Sequence, residues 1–490
     1  MLRISFYLCL ACIATWWTTQ INSSLWIDEL QTYWVVRGNL SDTISASYTT
    51  QGFSPLYFML LWGWKSITGS SEVALRLFSV LWVLVAAWYL YRLALEIFDR
   101  ETALIAIPLL LVTDEVTNAA LFARPYALAL AGVTASTFYA LRISRNWRTA
   151  EVLMYGLSAV LTFYSHYFFA GIYLIHVCIF AAGERTTQRE YGRYLVLLAT
   201  VAAVCLLALP HLETLAAKRD VMRLSTVPEI GGWLLALCAP FFLPPIVLIA
   251  LLTSTISSAR FNYTGLYEIY SDNKWPFYWW LVPPTLLYGL SLLTNTSFLL
   301  DRYYSWYIPG LVLIGATCIR VLVGVRVQAL ALLLSCALII ASDGLKQRFN
   351  EDWRAAMAHT DQLHSETSAP VLLFSGINQS QLLSWFADSR KASFFSAPAF
   401  YYPLSTTPLV IPVAVKDHSG DQYWRNVVTP VLRTNSKVIL VIFNNIFEET
   451  DAGRIDIKDK LLARAALHGH RPIESQQFQQ VWVYSLGRKL

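Results

Sequence analysis

The chain is 490 residues long, 56% hydrophobic and only 14% charged, with a formal net charge of +5. Soluble domains carry about 25% charged residues, and apolar runs near the roughly 20 residues of a membrane-spanning helix recur here as far as Ile340, which excludes a large soluble protein. The modest positive charge suits cationic loops that orient a membrane protein, and no basic patch fits a phosphodiester backbone, which sets nucleic acid aside as a partner.

The first apolar segment, Leu2–Trp17, carries a lone Arg3 and has no clear small-residue cleavage site before Asn22. It reads as an uncleaved first helix. Spans are predicted near 4–20, 73–98, 101–118, 124–141, 150–166, 167–183, 192–210, 232–252, 277–295, 303–322 and 327–341. Pro108 interrupts the third, and Asp114 and Glu115 close it.

Between the first two spans lies a long, apolar loop. Its stretch "SLWIDELQTYWVVRG" has apolar residues at a helical period and Trp26, Tyr33 and Trp34 suited to headgroup depth. It is predicted to be a helix lying along the membrane surface. "SPLYFMLLWGWKSI" (54–67), with Pro55 at a helix-start position, is a second candidate for that arrangement or for a re-entrant piece.

Lys and Arg in short loops set orientation. "RISRNWR" (142–148), "ERTTQREYGR" (184–193), "RVLVGVR" (320–326) and Arg3 share one face if spans alternate, and that face is assigned to the cytoplasm. Loops 21–72, 112–123, 211–231 and 296–302 then face outward, although Lys218, Arg219 and Arg223 run against the rule in 211–231. An odd number of spans places the C-terminal residues outside as well. The cysteines at 9, 12, 178, 205, 238, 318 and 336 all lie in apolar segments, so they form no disulfide framework or CxxC metal signature.

From about residue 343 the pattern changes. "NEDWRAAMAHTDQLH" reads as a helix, "APVLLFSG" as a strand and "QSQLLSWFA" as helical. "SKVILVIFNN" then reads as a strand, "KDKLLARAALHGH" as a helix and "QQVWVYSLGR" as a last strand. The expected architecture is an all-α polytopic bundle of about 11 transmembrane helices, residues 1–341, with amphipathic juxtamembrane helices in the first outer loop. A small C-terminal α/β soluble domain, residues 342–490, follows.

Ionisable residues at membrane level are costly and are functional candidates by default. Several elements deliver them to the outer face: Asp28 and Glu29, Asp114 and Glu115, Arg124 in "ARPYALAL", His166 in "YSHYFF", and Asp301 and Arg302 in "DRYY". Each alone has a plain reading, as a helix-start acid, a snorkelling flank residue or a local charge pair. Taken as a set, arginines suit a lipid-linked phosphate through paired hydrogen bonds, and a carboxylate suits a general base. Neighbouring residues on a helix point about 100° apart. One of Asp28 and Glu29 would therefore be the base, and the other would bind a metal, hold an arginine or fix the surface helix.

These motifs resemble the GT-C superfamily of integral-membrane glycosyltransferases, in the branch of protein O-mannosyltransferases, aminoarabinose transferases and bacterial family 39 proteins. The resemblance rests on "WIDE" (26–29), "SPLYFMLLWGW" (54–64), "SEVALRLFSVL" (71–81), "ARPYALAL" (123–130), "SHYFFA" (165–170) and "DRYYSWYIPG" (301–310), over about the first 340 residues. It implies a polyprenyl-phosphate-sugar donor, a lipid, glycan or protein acceptor, and an active site facing the periplasm or its equivalent. It implies that Asp28 aligns with the acid taken as catalytic, which makes Asp28 the candidate base and Glu29 its support, and that Asp114 or Glu115 matches the second acid. Arg124, Tyr126, His166, Arg302 and Tyr303 fall among the donor and acceptor contacts. Some members bind a divalent metal ion, but this sequence offers no clear ligand set and so fixes no cofactor. "EDWRAA" (351–356) also has the family's look, without an assigned role. The competing readings are a flippase or transporter of lipid-linked sugars, which would favour mid-membrane polar residues and internal repeats, and a glycan ligase or polymerase.

Overall fold

The structure is a computed structural model. It describes residues 1–52, 54–181, 188–217, 229–238, 246, 252, 274–294, 297–322, 324–343, 351–377, 383–412, 422–444, 447–450 and 453–488. The chain forms two compact units. One comprises Met1–Asn22, Gly52–Ala217 and the described part of Arg223–Lys346; the other comprises Ser23–Gln51 and the described part of Gln347–Leu490.

The first unit is helical. Among the described residues, Glu72–Ile97, Tyr126–Arg145 and Tyr191–Ala216 are long and apolar enough to cross a membrane; counting the bent pair Arg100–Val112 and Asp114–Leu121 as one span gives four. Ile308–Arg320 and Val325–Ala341 are apolar but shorter. The predicted span near 232–252 and the loop with Lys218, Arg219 and Arg223 lie largely outside the described residues.

The bent pair corrects the expected third span. Pro108 stays inside the helix Arg100–Val112, and the 65° break falls at Thr113, whose backbone is extended and whose hydroxyl donates to Leu110 O at 2.7 Å. Asp114 and Glu115 therefore open a new helix instead of closing the old one. Carboxylates are favoured there, where the helix dipole is positive.

Small residues and ion pairs set the helix spacing. A Cβ on Gly132 would come within 2.5 Å of Thr162 Oγ1 and 3.0 Å of its backbone nitrogen, so glycine alone allows Tyr126–Arg145 to approach Thr149–Ser165 this closely. Arg142 pairs with Glu96 at 2.7 Å and Glu151 at 2.6 Å, and Arg320 pairs with Asp99 at 2.8 Å. Both arginines come from loops that the charge rule assigns to the cytoplasm.

The second unit is built around a mixed sheet. Its strands are β1 (Val371–Phe374), β2 (Leu409–Val410), β3 (Lys437–Phe443), β6 (His470–Phe478) and β7 (Val481–Arg488), and a separate ribbon pairs β4 (Phe447–Thr450) with β5 (Gly453–Asp456). The sheet order is β2-β1-β3-β7-β6, parallel across β2, β1 and β3 and antiparallel beyond. β1 is buried at every position, as a strand flanked by parallel neighbours must be. The register sets Val441 opposite Val483 and Leu440 opposite Tyr484. On one face Leu440, Ile442 and Leu486 pack with Leu461 and Ile457 of the helix Ile457–Ala466. β6 was not predicted, because "HRPIESQQF" is polar and mostly exposed. It is an edge strand with Pro472 and a bulge before Glu474, features that protect an open edge.

The first-loop helix, Ile27–Val36, belongs to this unit. Its aromatic face, expected at headgroup depth, packs on protein instead. Trp34 is 3% exposed, sits edge-on to Phe394 at 5.1 Å and donates to Ser393 Oγ at 3.3 Å. Tyr33 meets Tyr401 at 4.7 Å, and Arg37 lies 3.9 Å over Phe400. The apolar period was correctly helical, but sequence alone could not tell a lipid surface from a protein partner more than 350 residues away.

Candidate active site

In the helical unit, a cavity of about 320 Å³ is lined by Glu115, Asn118, Phe122, Tyr126, Leu300 and Arg302. Three local structures bring these residues together. The helix Asp114–Leu121 presents Glu115 in its first turn. The tight turn after it, closed by Arg124 N donating to Phe122 O at 2.7 Å and anchored by Ser79 Oγ on the same carbonyl at 2.7 Å, leads through Pro125 into the helix that opens with Tyr126. The short turn Asp301–Tyr303 supplies Arg302.

His166 ends the helix Thr149–Ser165 and lies beside this wall, 1% exposed. Its ring is 5.5 Å from Tyr126, 5.1 Å from Tyr303 and 4.6 Å from Phe169. Arg302 and Arg124 lie near enough to act on it electrostatically. Arg124 is itself 5% exposed, and the Arg302 guanidinium lies 5.4 Å over the Tyr303 ring. The backbone behind this group is tightly packed. Gly171 abuts Trp306, Phe169 stacks on Trp306 at 6.1 Å, and Trp279 donates to Trp306 O at 2.9 Å.

The structure thus brings Glu115, Arg124, Tyr126, His166, Arg302 and Tyr303 into one neighbourhood of the helical unit. It also separates the second acid pair. Glu115 is buried and lines the cavity, whereas half-buried Asp114 accepts from Asn118 Nδ2 at 3.1 Å.

Asp28 and Glu29 lie in the other unit, in the first turn of Ile27–Val36. Glu29 is fully buried, and its Oε2 accepts from Trp26 N at 3.3 Å, closing back on the start of its own helix. Asp28 is half-buried. A third carboxyl, Glu351, completes this group. Its Oε2 accepts from Ile27 N at 2.8 Å and from Trp353 Nε1 at 2.6 Å. Burial pushes Glu351 up to about 8; the nearby Asp28 and Glu29 add to the rise, and the two hydrogen bonds oppose it. "EDWRAA" was the only sequence signal for this residue, and nothing local tied it to Ile27.

Among the described residues, no group of three or more His, Cys, Asp and Glu side chains is placed to hold a metal ion.

Residues 53–212 match the family described as dolichyl-phosphate-mannose-protein mannosyltransferase. The chain also shares its fold with ArnT from Cupriavidus metallidurans. The apo crystal structure matches with a TM-score of 0.58 at 12% identity, covering 98% of this chain and 97% of that one. The structure of ArnT bound to undecaprenyl phosphate matches with a TM-score of 0.54 at 11% identity and the same coverage. No curated protein sequence matches the chain. In sequence over residues 53–212, and in fold over nearly its whole length, the chain resembles the GT-C integral-membrane glycosyltransferases, as its motifs indicated.

Proposed function

We propose that the protein is a multi-pass membrane glycosyltransferase that moves a sugar from a polyprenyl-phosphate-sugar donor to an acceptor hydroxyl on a lipid, glycan or protein. The observation that carries this reading is the cavity in the helical unit. Half-buried Arg302 lines it together with Glu115 and Tyr126, and His166, Tyr303 and buried Arg124 lie beside that wall. Guanidinium groups bind phosphate through paired hydrogen bonds, and they stabilise the charge that gathers on a departing phosphate. ArnT, whose fold this chain shares, has been seen with undecaprenyl phosphate bound.

In the proposed reaction the acceptor oxygen attacks the anomeric carbon while a carboxylate takes its proton. The bond from that carbon to the phosphate oxygen breaks, and the electron pair leaves with the polyprenyl phosphate. Asp28 is the proposed base, and direct displacement inverts the anomeric centre. Glu29 supports Asp28, and Asp114 is the proposed second acid. Glu115, Arg124, Tyr126, His166, Arg302 and Tyr303 bind donor or acceptor. The proposed location is the bacterial inner membrane, with the active site and residues 342–490 on the periplasmic side.

The test uses the purified full-length chain with undecaprenyl phosphate linked to mannose, glucose or aminoarabinose, and follows release of undecaprenyl phosphate. The wild type should release it from one of these donors, and Asp28→Asn should bind that donor without turning it over. Near-normal turnover in Asp28→Asn would remove the base. Movement of donor across a vesicle bilayer with no release would favour a flippase.

A further inference from the structure

Glu351 is 5% exposed and stands just before the helix Trp353–Thr367. One of its oxygens, Oε2, receives two hydrogen bonds: Ile27 N at 2.8 Å and Trp353 Nε1 at 2.6 Å. Ile27 is the first residue of the helix that carries Asp28. The first amides of a helix have no acceptor within it, and here a carboxyl from 324 residues away takes one of them. The preceding segment is tied to the same part of the unit. Leu25 N donates to Tyr402 OH at 3.0 Å, and Arg354 N donates to Ser24 Oγ at 3.1 Å.

We infer that Glu351 is a positioning residue for the transfer reaction: held by the Trp353 indole, its carboxyl fixes the start of the Ile27–Val36 helix and so the place of Asp28. This inference rests on the proposed role of Asp28 as base. Chemistry favours an acid at this point. An apolar side chain would leave two buried N–H donors unsatisfied, each a substantial cost. A permanently ionised group would place a full negative charge beside the carboxyls of Asp28 and Glu29. A carboxyl that burial keeps protonated accepts both bonds without that charge. The same geometry explains the order of residues in "EDWRAA": Glu351 supplies the acceptor, Asp352 caps the following helix through Ala355 N at 3.0 Å, and Trp353 returns its indole to Glu351.

The experiment compares Glu351→Ala, Glu351→Gln and Trp353→Phe in the full-length chain, with Asp28→Asn alongside. Turnover is read as release of undecaprenyl phosphate from the three sugar-linked donors above. A misplacement near 1 Å costs up to about 10²-fold. Glu351→Ala should therefore lower kcat by about 10- to 100-fold while leaving the donor KM within about threefold. Glu351→Gln, which keeps an acceptor oxygen, should restore most of the loss. Trp353→Phe should have a smaller effect that disappears in the Glu351→Ala background. Hydrogen exchange over residues 25–30 gives a readout that needs no donor, and it should speed up in Glu351→Ala but not in Glu351→Gln. Wild-type kcat and exchange in Glu351→Ala, with Asp28→Asn inactive, would overturn the inference and leave the proposed function standing. An equal loss of kcat in Gln and Ala would also overturn it. Turnover by Asp28→Asn would remove Asp28 as the base, and the inference with it.

Discussion

Two pairs of adjacent acids, Asp28–Glu29 and Asp114–Glu115, each open a short helix, yet the fold uses them differently. In both pairs one acid is buried and the other half-buried, as follows from side chains about 100° apart around a helix. In the first pair the buried member turns back on its own helix start, accepting from Trp26 N, and a third carboxyl holds the next amide. In the second pair the buried member faces a cavity that it shares with Arg302, and the half-buried Asp114 accepts from Asn118. Burial therefore serves the helix start in one case and the wall of a cavity in the other. The half-buried Asp28 is left with the chemistry in the reading proposed here.

The largest expected effect breaks this contrast at Asp28. Asp28→Asn should lower turnover by about 10²–10⁴-fold, the range of a lost general base, with unchanged affinity for undecaprenyl phosphate. Initial rates and a binding titration on the same preparation check this. Glu115→Gln should act on substrate instead. Loss of a hydrogen bond to a charged group costs about 1.5–3 kcal/mol, so the KM for the sugar-linked donor should rise by about tenfold or more with kcat largely kept. If Glu115→Gln lost kcat and Asp28→Asn lost only donor affinity, the two roles would be exchanged.

A third variant tests the scaffold of the cavity. Gly132→Ala places a methyl group against the Thr162 backbone, pushing apart the helices that present Tyr126 and His166. Overpacking of this kind costs about 1–3 kcal/mol, read as a lower thermal midpoint in detergent, and donor binding should weaken with it.

The smallest effect concerns pH. Glu351 is raised from an ordinary 4.5 to about 8, chiefly by burial. Stability from its protonated form is complete below about 4.5 and is lost as pH rises through about 8. Glu351→Gln does not titrate, so its thermal midpoint should gain on the wild type across that interval and run parallel above it. A constant difference from pH 4.5 to 9 would contradict the raised value.

Much of this organisation was legible in the sequence because it is local. Apolar runs gave Glu72–Ile97 and Tyr126–Arg145 within a few residues, and the strands Val371–Phe374, Lys437–Phe443 and Val481–Arg488 stood out as segments rich in apolar residues. Arg124, His166 and Arg302 were identifiable because charge at membrane level is costly. The rest depended on partners that local pattern does not encode. Pro108 looked like the break in the third span, but the chain bends at Thr113, because a proline can stay inside a helix when neighbours supply the packing. Trp34 looked like a headgroup anchor until Phe394 and Ser393 were seen against it. Glu351 is one glutamate among many until Ile27 N is found on its oxygen.

The central claim is that the arginine-lined cavity of the helical unit receives a lipid-borne phosphate. Its most direct test is the affinity of the full-length protein for undecaprenyl phosphate, wild type against Arg302→Ala. The account predicts that Arg302→Ala binds about 10- to 100-fold more weakly, as loss of a charge-assisted contact to phosphate requires, while Asp28→Asn binds like the wild type. Equal affinity in Arg302→Ala and wild type would contradict it.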